Sequence, residues 1–173
     1  MLLGYIIIIG LVFLDQIVKL ISFTLSNGVE MKIATLIPNV LEFEYLENTG
    51  ASFGMLKGHQ DLFSLITIFA LIVFGYLFVQ VDLKKKKFYS YSIILLIAGT
   101  FGNAIDRLFN GGKVIDMINM PILNTILSWV GISPFVFNLA DLYMNVAIVM
   151  FIIDLLFLEK KREKKNDETI ELA

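Results

Sequence analysis

Long apolar stretches constrain this chain more than any other feature of its sequence. A helix needs about 20 apolar residues to cross the hydrocarbon core of a bilayer, which is about 30 Å thick. Hydrophobic residues make up 57% of the chain and charged residues 17%, against about 45–50% and about 25% in soluble domains. Lipid offers the backbone no hydrogen-bond partner, so each stretch of that length is expected to be a membrane-spanning helix. Four stretches qualify: Leu2–Phe23, Leu62–Val81, Phe88–Phe109 and Phe137–Leu158.

The distribution of basic residues predicts how these four spans are oriented. Lys84–Lys87 and the segment from Lys160 to Lys165 together hold nine of the fourteen lysines and arginines. Basic flanks lie on the cytoplasmic side, so both termini are predicted to be cytoplasmic and segments 24–61 and 110–136 to face the exterior. We expect residues 1–158 to form a single integral membrane domain, and residues 159–173 to form a charged cytoplasmic tail that is disordered.

The two outer segments differ in their patterns. Val40–Leu46 alternates apolar and acidic residues and contains aromatic members, which predicts a short strand or hairpin. Pro121–Val136 is apolar but is interrupted by polar residues, glycine and proline, so it is too broken to span and is expected to form a loop or short helix at the interface. The predicted fold is therefore an all-α membrane protein of four transmembrane helices with small additions on its outer side.

Ionisable residues inside the spans indicate where a function could lie, because they are costly in lipid. Asp15 and Lys19 are spaced i, i+4 on the first span, which places them on one helix face and predicts an ion pair. Asn103, Asp106 and Arg107 share the outer end of the third span, where Arg107 is the local cation for Asp106. A role in holding helices together and a functional role explain these two pairs equally well.

Two further aspartates have no cation at helical spacing. Asp116 follows the turn predicted at Asn110–Gly112, and Asp141 lies in the stripe Asn138, Asp141, Asn145 at the outer end of the fourth span. All these polar groups are predicted to converge at one depth, in the outer third of the bilayer. For Asp116 and Asp141 a functional role is favoured over a structural one.

The residue types limit the chemistry that such a site can perform. The chain has no cysteine and one histidine, His59 in a polar connection, which excludes thiol catalysis and argues against a metal site or a cofactor. Two carboxylates close together in a low dielectric share one proton, and such a pair can hydrolyse an amide by general acid–base catalysis. A proton- or ion-coupled carrier also needs intramembrane acids, and a non-enzymatic membrane chaperone is a third possibility. The carrier is disfavoured by the absence of a repeat and by acids gathered at one depth.

Five motifs in order resemble the lipoprotein signal peptidases, the type II signal peptidases of bacteria, over nearly the whole chain before the tail. Each motif alone is weak, whereas five in this order and spacing are specific. The motifs are Asp15-Gln-Ile-Val-Lys19, Asn48-Thr-Gly-Ala-Ser-Phe-Gly54, Gly102-Asn-Ala-Ile-Asp-Arg107, Val114-Ile-Asp116 and Phe137-Asn-Leu-Ala-Asp141.

The resemblance implies an intramembrane aspartyl endopeptidase in which Asp116 and Asp141 are the catalytic dyad. It also implies that the first outer segment, between helices 1 and 2, forms a small β-cradle, and that a loop or short helix between helices 3 and 4 covers the site. Asp15 and Lys19 match a structural and functional pair in the first helix. The remaining positions implied to line the site, hold the dyad or contact substrate are Asn48, Gly50, Asn103, Arg107, Asn138 and Ala140.

The same resemblance implies the partners and the location. The substrate is a prolipoprotein that carries a diacylglyceryl-modified cysteine, and cleavage falls immediately before that cysteine. The enzyme is expected to be a multi-pass monomer of the bacterial cytoplasmic membrane, in contact with lipid, with its active site toward the outer leaflet. Neither a metal, a cofactor nor nucleic acid is implied.

Overall fold

Helices make up most of the chain in the computed structural model, which describes residues 1–49, 60–162 and 164. The helices are α1 (Leu2–Ser26), α2 (Gln60–Phe78), α3 (Lys87–Phe109), α4 (Pro121–Ser128) and α5 (Leu139–Ile153). The strands are β1 (Met31–Ile37), β2 (Leu41–Asn48), β3 (Val114–Asn119) and β4 (Val136–Phe137). After α5 the chain continues through a π-helical turn, Asp154–Leu158, and stays helical to Arg162.

Three of the described helices are long and apolar enough to cross a membrane. They are Leu2–Ser26, Lys87–Phe109 and the continuous helix Leu139–Arg162. The remaining predicted span corresponds to α2, whose apolar part is the shorter segment Leu65–Phe78. The helices therefore have the character of a membrane protein, and their positions agree closely with the apolar stretches of the sequence.

A small four-stranded antiparallel sheet accompanies the helices, as the expected β-cradle implied, and is larger than the first outer segment alone could form. The strand order is β1-β2-β3-β4, with Leu46 of β2 opposite Asp116 of β3. The strand predicted at Val40–Leu46 is confirmed from Leu41 onward as part of β2. The short helix expected in Pro121–Val136 is confirmed as α4, whereas β3 and β4, which flank it, were not expected. In β3, apolar residues point to both faces, so the sequence lacks the alternation that identifies a half-buried strand.

Two boundaries of the fourth predicted span also change. Phe137 pairs with Ile118 across the sheet, so the helix begins at Leu139 instead of Phe137. At the other end, residues 159–162 are helical where a disordered tail was predicted. Asp154 is buried there and forms a bidentate ion pair with Arg162, with both nitrogen–oxygen distances 2.7 Å.

Helix α3 is the centre of the packing. Ile93, Ile94 and Ala98 are fully buried, and they pack in one apolar cluster with Ile8 of α1 and Phe78 of α2. On the side that faces α5, close approach depends on glycine: a Cβ atom added at Gly99 would lie 2.5 Å from the carbonyl oxygen of Ala140. Glycine at position 99 therefore permits the close packing of α3 against α5.

The α3–α5 contact gives the first prediction. Gly99→Ala places a methyl group against the backbone carbonyl of Ala140 in α5, which cannot move aside as a side chain can, and is expected to destabilise the protein by about 1–3 kcal/mol. Gly75→Ala is the matched control, because a Cβ there meets nothing within 4 Å. Thermal unfolding in one detergent measures both, and equal stability of the two variants would contradict this packing.

Candidate active site

A buried ion cluster on α1 and α3 forms the base of the site. The ammonium nitrogen of Lys19 lies 2.9 Å from Oδ2 of Asp15 and 2.8 Å from Oδ2 of Asp106. All three side chains are 2% exposed or less. The predicted Asp15–Lys19 pair is confirmed, and Lys19 of α1 also pairs with Asp106 of α3, a contact that was not predicted.

Gln16 belongs to this cluster although the sequence analysis missed it. Its amide nitrogen donates to Asp15 Oδ2 at 3.2 Å, to Asp106 Oδ1 at 3.0 Å and to the carbonyl oxygen of Gly102 at 3.1 Å. A Cβ atom at Gly102 would lie 2.6 Å from Asp15 Oδ2, so only glycine lets α3 approach so closely. A neutral polar side chain inside an apolar span is the sequence signal that could have indicated Gln16.

Each acid of the cluster also holds one backbone amide of another element. Asp15 Oδ1 accepts the backbone N–H of Ala140 at 3.0 Å, and Asp106 Oδ2 accepts that of Ile115 at 3.0 Å. These two residues immediately precede Asp141 and Asp116. The ion cluster therefore fixes the backbone directly before both candidate catalytic aspartates, one on α5 and one on β3.

Asparagine side chains connect the two aspartates to each other. Nδ2 of Asn138 donates to Asp116 Oδ1 at 2.7 Å, while its Oδ1 accepts the backbone N–H of Asp141 at 2.8 Å. The backbone N–H of Asn138 in turn donates to Asp141 Oδ2 at 3.4 Å, which completes a capping box at the start of α5. Capping boxes satisfy the free N–H groups of a helix N-terminus, so the cap of α5 also sets the position of Asp141.

Asn103 links the ion cluster to this pair. Its Oδ1 accepts from Lys19 at 3.1 Å and from Asn138 at 3.0 Å, and its Nδ2 donates to Asp141 Oδ1 at 2.8 Å. One asparagine thus connects the buried cation with one carboxylate through two hydrogen bonds.

Asp116 lies on β3 in a site with little access to water. Its side chain accepts from Asn48 at 2.9 Å and from Asn138 at 2.7 Å, and the residue is 1% exposed. Burial, followed by the negative charge of Asp141, raises the pKa of Asp116 to about 7. Both amides oppose this shift because they stabilise the charged carboxylate. Asp116 therefore keeps its proton to a much higher pH than an ordinary aspartate.

The two aspartates open into one cavity of about 370 Å³. Its polar end is formed by Asn48, Asn103, Arg107 and the two carboxylates, and its other end is apolar. The apolar wall comes from α2, α3 and α5 and includes Ile66, Ala70, Phe74, Leu96, Met144 and Ile148. Clefts that combine an apolar wall with a few convergent polar groups are typical of binding sites.

The structure brings nine of the ten predicted site residues together. The ion pair of Asp15 and Lys19 is joined to α5 through the backbone N–H of Ala140. The two aspartates are contacted by the three asparagines, and Arg107 lines the same cavity. Gly50 lies outside the described residues. Within residues 1–49 and 60–162, no group of three or more histidine, aspartate or glutamate side chains is arranged to hold a metal ion.

Comparison with known proteins identifies the family. A profile of the Signal peptidase (SPase) II family matches residues 7–157. The chain belongs to the signal peptidase II family. It is 34% identical to the lipoprotein signal peptidase of Latilactobacillus sakei over 158 residues, which cover 91% of this chain and 93% of the relative. It is 37% identical to that of Clostridioides difficile over 155 residues, which cover 90% and 95%.

A solved structure agrees with this assignment. A bacterial membrane enzyme determined at 1.9 Å by the in meso method is 32% identical to this chain, with a TM-score of 0.72 over 90% of this chain and 93% of the other. The resemblance drawn from the five motifs is confirmed, and the chain is a peptidase of the signal peptidase II family.

The ion cluster of Asp15, Lys19 and Asp106 gives the second prediction. Lys19→Met removes the cation that two buried carboxylates share and is expected to destabilise the protein by about 3–5 kcal/mol. Adding Asp106→Asn to Lys19→Met removes one of the unpaired charges and should recover part of that loss. Unfolding in detergent measures both variants, and a double variant no more stable than Lys19→Met would contradict the shared ion cluster.

Proposed function

We propose that this protein cleaves the signal peptide from diacylglyceryl-modified prolipoproteins, immediately before the lipid-modified cysteine, with Asp116 and Asp141 as the catalytic dyad. The observation that carries the proposal is the side chain of Asn138, which bonds Asp116 directly and caps the backbone of Asp141 at the polar end of an apolar cavity. The curated relatives named lipoprotein signal peptidase support the same reaction.

The proposed reaction assigns different protonation states to the two aspartates. Asp116 holds the proton, since burial raises its pKa to about 7, and Asp141 is ionised. Asp141 takes a proton from water as the water oxygen attacks the scissile carbonyl carbon, while protonated Asp116 donates a hydrogen bond to the carbonyl oxygen. The C–N bond then breaks, and the leaving amine, the α-amine of the modified cysteine, takes a proton from the dyad. The dyad ends with one proton, as it began.

The other site residues are proposed to hold or extend the dyad. The carboxylates are oriented by the hydrogen bonds from Asn48, Asn103 and Asn138. The backbone next to the dyad is held in place by Asp15, Lys19 and Ala140. Arg107 lines the cavity beside the dyad and is proposed to contact the substrate. Gly50 is proposed to belong to the substrate-binding part of the first outer segment.

The apolar wall of the cavity suits a substrate that arrives within the membrane. The signal helix and the acyl chains of a prolipoprotein are both apolar, and burial of apolar surface is favourable by about 25 cal/mol per Å². We infer that the substrate enters laterally between α2, α3 and α5, where the cavity wall is made of aliphatic and aromatic side chains.

The membrane arrangement is part of the same proposal. We infer four spans, with the shorter apolar helix α2 as the fourth. We also infer that the protein is a multi-pass monomer in the bacterial cytoplasmic membrane. Residues 1–158 are proposed to act as one membrane peptidase domain and residues 159–173 as its charged cytoplasmic extension. Both termini are assigned to the cytoplasm on the basic flanks at Lys84–Lys87 and Lys160–Lys165, which puts the dyad toward the outer leaflet.

Replacing either aspartate of the dyad tests the mechanism. Asp116→Asn and Asp141→Asn are each expected to lower turnover by at least about a thousandfold, because an amide neither accepts the water proton nor shares one. Both variants should keep the wild-type unfolding temperature within a few degrees. The assay follows loss of the signal peptide from a purified diacylglyceryl-modified prolipoprotein by mass spectrometry; near-normal turnover by either variant would contradict the dyad.

The pH dependence tests which state of the pair is active. Asp116 loses its proton as the pH rises through about 7, so turnover should fall on the alkaline side of that value and also at low pH, where Asp141 is protonated. Asn48→Ala removes a hydrogen bond that lowers the pKa of Asp116, so it should move the alkaline limb to higher pH. A limb that stays in place or moves down would contradict the assignment of the proton to Asp116.

Cysteine labelling tests the orientation, since the native chain has no cysteine. A cysteine at Thr35, exposed on β1, is expected to react with a membrane-impermeant thiol reagent in intact cells, and one at Lys85 is expected to react only after the cells are opened. Labelling of Lys85→Cys but not Thr35→Cys in intact cells would place the dyad toward the cytoplasm.

A further inference from the structure

A basic pocket of about 350 Å³ lies at the end of the helices remote from the dyad. It forms where the α2–α3 connection meets the end of the long C-terminal helix. Lys87 begins α3, and Asn103 of the active site follows 16 residues later, which corresponds to about 24 Å along the helix. The cations that line the pocket are Lys84, Lys85, Lys87, Lys161 and Arg162.

A buried carboxylate holds one wall of this pocket in place. Both oxygens of Asp154 accept from the guanidinium of Arg162 at 2.7 Å, and Asp154 is 3% exposed. Bidentate pairs of this kind fix the plane of the guanidinium. Asp154 is the first residue of the π-helical turn Asp154–Leu158, and such turns are frequent at functional sites.

The opposite wall is a turn that presents lysines. The carboxylate of Asp82 accepts the backbone N–H groups of Lys84 and Lys85 at 2.9 and 3.0 Å, which fixes the connection before α3. The side chains of Lys84, Lys85 and Lys87 are exposed, as is that of Lys161 on the facing helix. Among the described residues no carboxylate lines the pocket, so its lysines give it a net positive charge.

Part of the pocket lining is apolar. Phe88 and Leu158 line the pocket together with the cations, and the helix that carries Leu158 also exposes Leu155, Leu156 and Phe157. A lining that combines cations with apolar side chains complements a molecule with an anionic head and apolar chains. Because this end of the helices is where a spanning protein leaves the hydrocarbon core, phospholipid is present at high local concentration.

We propose that this pocket is a binding site for the headgroup of an anionic phospholipid, of the phosphatidylglycerol type, in the leaflet opposite the dyad. Lys85 and Lys161 attract the lipid phosphate from the two walls, the Asp154–Arg162 pair keeps the C-terminal helix in position, and the acyl chains follow the apolar surface below Phe88. The bound lipid links the α2–α3 connection to the C-terminal helix. This site is independent of the proposed proteolytic reaction.

The test compares two double variants that remove the same charge from the same side of the protein. Lys85→Gln with Lys161→Gln removes one lysine from each wall, whereas Lys86→Gln with Lys160→Gln removes their sequence neighbours, which do not line the pocket. Lys86 instead lies over the ring of Tyr89, 5.7 Å from its centre. Each protein is placed in nanodiscs of equal parts phosphatidylglycerol and phosphatidylcholine, and the lipids that remain bound are counted by native mass spectrometry.

The expected result is selective retention of phosphatidylglycerol by the wild type. In the Lys85/Lys161 variant, the ratio of bound phosphatidylglycerol to bound phosphatidylcholine should fall about fivefold for each lysine removed. In the Lys86/Lys160 variant, the ratio should stay close to that of the wild type. If both double variants lost the same share of the preference for phosphatidylglycerol, the preference would come from the general surface charge and not from the pocket, and the proposal would be overturned. Unchanged lipid preference in the Lys85/Lys161 variant, or a protein dimer that disappears in that variant, would also overturn it. Unfolding temperatures of all three proteins show that each is folded.

Discussion

The ammonium group of Lys19 is the interaction on which the rest of the site depends. It lies between two buried carboxylates, Asp15 and Asp106, and so joins α1 to α3 at a depth where an unpaired charge would be very costly. The same two acids also accept backbone N–H groups, that of Ala140 at Asp15 Oδ1 and that of Ile115 at Asp106 Oδ2. Four elements, α1, α3, α5 and β3, are therefore linked through this one cation. Asp141 directly follows Ala140 in the chain, and Asp116 directly follows Ile115, so the cluster fixes the backbone next to both dyad aspartates.

Cations and amides have separate tasks in this arrangement. The cation pairs with the acids below the dyad, whereas Asp116 accepts only from the neutral side chains of Asn48 and Asn138 in the contacts described. Neutral donors orient a carboxylate but stabilise its charge less than a cation does. Burial and the charge of Asp141 therefore dominate, and the pKa of Asp116 rises to about 7. In the proposed mechanism, this balance keeps one proton on the pair near neutral pH.

Much of this was predictable from residue patterns, and the failures have physical causes. Hydropathy located the helices, and the i, i+4 spacing gave the Asp15–Lys19 pair because helical geometry alone sets that contact. The partner of Asp106 was not predictable, since a helix pattern identifies neighbours on the same helix but not on another one. Strand β3 was missed because both its faces are buried, and Arg162 was missed because the pairing with Asp154 depends on a helix that continues beyond the apolar stretch.

The central claim is that the dyad holds a single proton near neutral pH and that Asp116 carries it. Infrared difference spectroscopy of the purified protein in lipid, recorded between pH 5 and 9, measures protonated carboxyl groups directly through their C=O stretch. The account predicts a band that titrates near pH 7 and is absent in Asp116→Asn, and that remains in Glu44→Gln, a control carboxylate on β2 outside the dyad. A spectrum without a carboxyl band titrating near pH 7, or one in which Asp116→Asn leaves the band unchanged, would contradict it.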